Sequence, residues 1–138
     1  MLLIIYFVTY KEYLFILTSI HGQTLREDLT FQCSTDGGSN YNTSVNSAIF
    51  QHNNQESGGT NNNFNYIDSF DQANGTAFQV LCRDFSDDND GSHSGMLRIF
   101  EPSSTVHVKH WTSQFNGMHE SPSGYYTNTD KAAGYFNT

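Results

Sequence analysis

The stretch that decides the fold is Gly95-Met-Leu-Arg-Ile-Phe-Glu-Pro-Ser-Ser-Thr-Val-His-Val-Lys-His-Trp111, in which two apolar runs flank Glu101-Pro-Ser-Ser104. Both runs are short and contain β-branched or aromatic residues, and the segment between them has the composition of a turn. The stretch therefore predicts two strands joined by a turn. It offers no catalytic group in a recognisable position, so it indicates architecture rather than chemistry.

Similar strand-like segments recur along the chain. Residues 29–34 alternate strictly, and residues 76–83 place Phe78, Val80 and Cys82 on one face, because successive side chains of a strand point to opposite sides. Turn compositions such as Asp36-Gly-Gly-Ser-Asn40 separate these runs. Further strands are predicted at residues 13–17, at residues 45–52 and from Ala132 onward, residues 64–67 are undecided, and the segment from Trp111 to Asn128 is expected to be irregular.

Strands at intervals of about 10–15 residues without helical crossovers are typical of an antiparallel sandwich. No segment carries sustained apolar residues at helical spacing. We therefore expect an all-β fold, a single antiparallel β-sandwich of jelly-roll type over residues 1–138, with about eight strands in the complete domain. Tyr135-Phe-Asn-Thr138 ends directly after a strand-like run, so we expect the domain to be truncated there, lacking its last strands.

The charge balance limits the classes of partner. Fourteen acidic against six basic residues give a net charge of −8. Such a chain has few cations with which to neutralise phosphates, so nucleic-acid binding and attachment to an anionic membrane are disfavoured. A neutral, hydroxyl-rich partner such as a glycan, or another protein, fits the balance better.

The apolar N-terminus Met1-Leu-Leu-Ile-Ile-Tyr-Phe-Val8 has two interpretations, a core strand or a secretion signal. It lacks a basic leading region, and Lys11 and Glu12 interrupt the apolar run. It is also shorter than the roughly 20 residues that span a bilayer, so no membrane insertion is expected. We favour the strand, which would lie beside the strand at residues 13–17.

The two cysteines, Cys33 and Cys82, each lie in a strand-like run and could pair if those strands are neighbours. The alternative is two buried free thiols, which we favour because unpaired cysteine is among the most buried residue types. No Cys-x-x-Cys or Cys/His spacing typical of zinc sites is present.

The acidic loop Ser86-Asp-Asp-Asn-Asp-Gly91 resembles part of a calcium loop, with side-chain oxygens on alternate residues before a glycine. The EF-hand pattern is not met, because Ser86 and Leu97 stand at its first and twelfth positions. A looser Ca²⁺ site would use Asp84, Asp87, Asp88 and Asp90. We favour the alternative, a solvated acidic turn, and expect no cofactor.

Catalytic motifs are absent from the sequence: neither a Gly-x-Ser-x-Gly elbow nor a His-Glu-x-x-His helix occurs. We therefore expect a protein that is not an enzyme, with a sandwich glycoside hydrolase as an alternative. Trp111, Tyr125 and Tyr126 stand among Asn, Ser and Thr, a composition that suits sugar binding. The other interpretation, which we favour, is that these three rings pack the core.

Four blocks in this order carry a family resemblance: Thr30-Phe-Gln-Cys-Ser-Thr-Asp-Gly-Gly-Ser-Asn-Tyr41, Thr76-Ala-Phe-Gln-Val-Leu81, residues 97–111 and Ala133-Gly-Tyr-Phe-Asn-Thr138. Together they resemble structural proteins of tailed phages, mostly from marine viruses and metagenomes, over residues 10–138. The resemblance implies a β-sandwich or jelly-roll module on a virion appendage, tail fibre or capsid decoration, and it implies that the family continues past residue 138. It implies no catalytic residue.

The sequence thus favours a non-enzymatic virion structural module that mediates host attachment, with binding to a host-surface glycan. Its expected location is the virion, and its expected partners are other virion proteins or further copies of itself. The alternative is a secreted, extracellular, non-catalytic carbohydrate-binding module outside any virus.

Overall fold

The computed structural model describes residues 9–60 and 62–137, and within them the chain forms nine strands. A single 3₁₀ turn, Asp68–Phe70, lies between the fourth and fifth strands. The strands are β1 (Glu12–Ile20), β2 (Leu29–Phe31), β3 (Val45–Gln55), β4 (Asn63–Tyr66), β5 (Ala73–Gly75), β6 (Gln79–Cys82), β7 (His93–Phe100), β8 (Lys109–Ser121) and β9 (Gly124–Phe136).

Seven strands form one large sheet in the order β1-β7-β8-β9-β3-β4, with β5 also paired to β3. The remaining two, β2 and β6, form a small second sheet. Every pairing is antiparallel. The predicted all-β antiparallel fold is confirmed, and the combination of a large and a small sheet is consistent with a β-sandwich.

Period-two alternation defines two faces of the large sheet. On β8, Trp111 and Phe115 are buried whereas Thr112 and Gln114 are exposed. We call the side that carries Trp111 the inner face and the opposite side the outer face. Both faces continue across the sheet, because residues paired across antiparallel strands point to the same side.

The core lies between the inner face and the small sheet. The Phe31 ring of β2 meets Trp111 edge-on, with ring centroids 5.0 Å apart, and meets Phe136 at 5.5 Å. Burial of these apolar side chains is the main force that joins the two layers. The buried hydrophobic cluster consists of Val45, Ile49, Val80, Leu81, Cys82, Phe85, Leu97, Ile99, Trp111, Phe115, Ala132 and Phe136.

The expectation of an irregular segment between Trp111 and Asn128 is wrong. Strands β8 and β9 are each 13 residues long and pair with each other from Lys109 to Phe136 through a tight turn at Ser121–Gly124. The turn uses Gly124 at φ 116°, a conformation that glycine adopts at low cost. Apolar alternation fails here because inward positions include the polar Ser113, Asn128 and Asp130.

The stretch around Glu101 forms the predicted strand pair, since β7 and β8 are antiparallel neighbours. Their connection is longer than the predicted turn and covers residues 101–108. The undecided segment at residues 64–67 is largely strand, as part of β4. The predicted strand at residues 13–17 is confirmed within β1, whereas the apolar run at residues 1–8 lies outside the described residues.

Cys33 and Cys82 are both free thiols, as favoured from the sequence. The β2–β6 register places Cys82 opposite Leu29, whereas Cys33 lies beyond the end of β2. Burial raises the pKa of Cys33 to about 12 and also raises the pKa of Cys82, so both thiols are protonated at neutral pH. Residues 9–60 and 62–137 contain no helix long and apolar enough to cross a membrane.

Candidate functional site

Two of the three aromatic residues predicted as glycan contacts are in the core. Trp111 is 1% exposed and Tyr126 is 6% exposed, and both point to the inner face. A ring enclosed in this way cannot present its face to a sugar, so the structure supports the core-packing interpretation for Trp111 and Tyr126. The reason is tertiary: the small sheet, through Phe31, covers the side of β8 that carries Trp111.

Tyr125, the third candidate, remains partly exposed on the surface. Its hydroxyl donates a hydrogen bond of 2.6 Å to the Asp88 carboxylate. The pKa of Tyr125 is raised to about 12, mainly by this hydrogen bond and to a smaller extent by the nearby negative charges of Asp88 and Glu120. Tyr125 therefore links the end of the β8–β9 hairpin to the acidic loop.

An exposed group of three rings lies on the outer face at the β3–β4 edge of the large sheet. We call Phe50, Phe64 and Tyr66 the outer aromatic cluster; their exposed fractions are 39%, 71% and 56%. The rings of Phe50 and Phe64 stack with centroids 5.9 Å apart and planes 19° apart, and Tyr66 lies 5.3 Å from Phe50. Such an arrangement gives a continuous aromatic surface in contact with solvent.

Strand register produces this cluster. Phe50 pairs directly with Tyr66, and His52 pairs with Phe64, so all four side chains share one face. The Tyr66 hydroxyl donates a hydrogen bond to the Asp71 carboxylate, which raises the pKa of Tyr66. The sequence prediction did not include these rings, although their period-two spacing in residues 50–52 and 64–66 is a usable signal.

Polar side chains continue the outer face beside the cluster. One row across the strands runs from His52 to Thr129 and Asn116, and the next runs from Phe50 to Lys131 and Gln114. The Asn116 amide donates hydrogen bonds to the Thr129 hydroxyl at 3.0 Å and to a backbone carbonyl at 2.9 Å. The floor beside the rings is thus mostly amide and hydroxyl.

A shallow cleft of about 360 Å³ adjoins this floor near the β8–β9 turn. Asn54 pairs with Thr127, and Thr127 pairs with Met118, so these residues form the row that follows His52 and Thr129. Amides and hydroxyls are suited to hydrogen bonding with a hydroxylated ligand. The residues that line the cleft are Asn54, Gln55, Glu56, Asn116, Gly117, Met118, Tyr125, Tyr126 and Thr127.

The structure brings together only part of the predicted calcium set. Carboxylate oxygens of Asp87, Asp88 and Glu120 lie within 4.8 Å of one another. Asp90 is outside this group, and Asp84 instead contacts Arg83 at 3.1 Å and His119 at 3.7 Å. Glu120 could not be identified from the loop sequence, because only the long β8–β9 hairpin carries it back to the loop.

Hydrogen bonds already occupy two of these three carboxylates. The Ser86 hydroxyl donates to Glu120 at 3.1 Å, and Tyr125 donates to Asp88. Ser86 also accepts a hydrogen bond from the backbone N–H of Asp88, which closes the turn. These contacts stabilise the loop as an acidic turn.

We therefore expect millimolar calcium to leave the melting temperature unchanged relative to chelator. A cation that bound only the native state would raise it by mass action, and magnesium would do so less than calcium. Thermal unfolding with Ca²⁺, Mg²⁺ or chelator measures this. A rise specific to calcium that disappears in Glu120→Gln would contradict the expectation and assign a cation to the Asp87, Asp88 and Glu120 group.

One buried carboxylate, Asp130, has no access to an external substrate because it is fully buried. It accepts hydrogen bonds from the Gln51 side chain, the Arg83 backbone N–H and the Asn128 side chain, at 3.1–3.2 Å. Burial raises its pKa, although hydrogen bonds from the Arg83 backbone N–H, the Cys82 thiol and the Gln51 side chain oppose the shift. These hydrogen bonds join β9 to β3 and to the residue that follows β6.

The chain matches no protein-family model, and comparisons with curated proteins and with solved structures also find no match.

Proposed function

We propose that the protein is a non-enzymatic β-sandwich module that binds a glycan on the outer face of its large sheet. The observation that carries the proposal is the outer aromatic cluster, Phe50, Phe64 and Tyr66, beside a floor of amide and hydroxyl side chains. Aromatic rings offer an apolar face to the C–H side of a sugar ring, and amides pair with its hydroxyls.

The surroundings of the cluster support a glycan over a purely apolar partner. Thr129, Asn116 and Gln114 follow the rings on successive strands, which lie about 4.8 Å apart. An extended ligand lying across the strands would therefore pass from stacking rings to hydrogen-bonding groups within two or three strand spacings. The cleft at Asn54 and Thr127 extends the polar part of this surface.

We place this module on a virion appendage, tail fibre or capsid surface of a tailed phage, where it would serve host attachment. The support is the ordered set of sequence blocks between Thr30 and Thr138 that resembles phage structural proteins. Other virion proteins or further copies of the chain would be its protein partners. Mass spectrometry of purified virions, together with the identity of neighbouring genes, tests this location.

A secreted carbohydrate-binding module is the second candidate, because the outer aromatic cluster supports it equally well. The two candidates share a ligand class and differ in location. Detection of the protein in purified virions, or tail and capsid genes beside its gene, would favour the first. Its presence as a free secreted protein without such genes would favour the second.

Replacing Phe64 by alanine should weaken glycan binding about tenfold, equivalent to roughly 1.4 kcal/mol, because it removes the most exposed ring of the cluster. Since that ring is mostly in solvent, the melting temperature should change little. A glycan array followed by calorimetric titration of the best ligand measures the effect.

Phe78→Ala is the matched control, since Phe78 is also an exposed phenylalanine but lies outside the cluster. It should bind as the wild type does. If Phe64→Ala binds the glycan as tightly as the wild type, the site is not at the outer aromatic cluster. If the wild type binds no glycan on the array, the proposed glycan-binding function is wrong.

A further inference from the structure

The acidic residues of this chain are distributed unevenly between its surfaces. Fourteen are present, yet the central outer positions of β3, β8 and β9 contain none. Glu56 and Glu120 lie near the β8–β9 turn, and Asp71 lies at the β4 edge, where its carboxylate accepts a hydrogen bond from Tyr66 on the side of the outer aromatic cluster away from β9. The central outer residues are Asn46, Ala48, Phe50, His52 and Asn54 on β3, His110, Thr112, Gln114, Asn116 and Met118 on β8, and Thr127, Thr129, Lys131, Ala133 and Tyr135 on β9.

One cation lies in the middle of this acid-free area. Lys131 is exposed on β9, the central of these three strands, and it pairs in register with Phe50 on one side and Gln114 on the other. Its ammonium group forms no ion pair within 4.0 Å among residues 9–60 and 62–137. By contrast, Lys11 and Arg98 each contact a glutamate.

We infer that the glycan bound by the outer face is anionic, and that its carboxylate or sulfate pairs with Lys131. The inference rests on the proposed glycan function and specifies its ligand class. A chain with net charge −8 repels anions over most of its surface, so an acid-free area with a central lysine is where an anionic ligand meets least repulsion. The overall charge predicted a neutral ligand, whereas the local arrangement points to an acidic one.

The geometry allows one ligand to use both features. Lys131 is one strand spacing, about 4.8 Å, from Phe50, so a sugar stacked on the cluster can place an acidic substituent, or that of its neighbour, at the ammonium group. Gln114 and Thr129 flank Lys131 and can hydrogen-bond the adjacent hydroxyls. The lysine thus selects the charge of the ligand, and the rings supply stacking.

Binding to a glycan array of matched acidic and neutral pairs tests the inference. The pairs are an oligogalacturonate and its methyl ester, a sialylated glycan and its desialylated form, and a sulfated dextran oligomer and its unsulfated form. We expect the acidic member of at least one pair to bind more tightly. Lys131→Met should weaken that binding roughly fivefold, the upper range for an exposed ion pair, and should leave the neutral member unchanged.

Lys131→Arg should restore the preference for the acidic member, and Lys11→Met is the control, since Lys11 is an exposed lysine at the β1 end of the sheet. Added salt should reduce the preference in the wild type and have less effect in Lys131→Met. If only the sulfated pair depends on Lys131, the anion is sulfate. If only the galacturonate and sialylated pairs depend on Lys131, the anion is a carboxylate.

Equal binding of acidic and neutral members, with Lys131→Met indistinguishable from the wild type while Phe64→Ala loses affinity, would overturn the inference and leave the glycan function intact. Absence of binding to every member, in the wild type and in all variants, would overturn both.

Discussion

Replacing Trp111 with alanine is expected to lower the free energy of unfolding by about 3–5 kcal/mol. Trp111 is the largest fully buried side chain, and it packs between the inner face and the small sheet, where Phe31 meets it edge-on at 5.0 Å. Its removal would leave a cavity that rigid strands on both sides cannot close. Urea denaturation monitored by circular dichroism measures the change.

Phe64→Ala is the comparison for Trp111→Ala, because it also removes an aromatic ring but from an exposed position, and it should cost little stability. Trp111→Phe should cost less than Trp111→Ala, since part of the volume is kept. A small loss in Trp111→Ala, similar to that in Phe64→Ala, would show that Trp111 is not in the core.

Acidification should destabilise the fold through His93. This side chain is 1% exposed, its ring lies 4.2 Å from the Phe85 ring, and neither ring nitrogen has a hydrogen-bond partner among the described residues. Burial, together with the nearby His119, lowers the pKa of His93 to about 4, and Asp84 opposes the shift. His93 is therefore neutral in the folded protein at pH 7.

The sign of the effect follows from proton binding. Between the unfolded pKa of about 6.5 and the folded pKa of about 4, the unfolded chain binds a proton at His93 that the folded protein does not. The contribution of neutral His93 to the free energy of unfolding is fully present above about pH 6.5. It declines as the pH falls toward about 4 and then levels off. The total loss is on the order of 3 kcal/mol.

Two carboxylates, the buried Asp130 and the surface-exposed Asp28, act in the opposite direction. Desolvation raises the pKa of both, so protonation of each favours the folded state as the pH falls toward 3.8. Both remain in His93→Gln, a variant that cannot titrate at this position. Subtracting its unfolding free energy from that of the wild type at several pH values between 7.5 and 4 isolates His93.

The wild-type advantage over His93→Gln should shrink on acidification, whatever the absolute stability of the variant. Parallel pH profiles for the two proteins would show that His93 keeps an ordinary pKa, and hence that solvent or a partner reaches its ring.

The strand content was predictable from local pattern. Alternation at Leu29, Phe31 and Cys33, the apolar runs on either side of Glu101, and the lack of helical periodicity were enough to predict an all-β antiparallel fold. The β8–β9 hairpin was not predictable in this way, because Ser113, Asn128 and Asp130 occupy inward positions and their burial depends on hydrogen bonds to distant residues.

The amino-acid sequence by itself determined that strands form and which residues share a face along each strand, since alternation is a property of the local backbone. Only the tertiary structure decided which face is buried, because that depends on where the small sheet packs. It thereby assigned Trp111 to the core and Phe64 to the surface. Antiparallel register joins residues that are far apart in the chain, and it decided which side chains meet at the candidate sites. It brought Glu120 to the acidic loop and placed Lys131 beside Phe50.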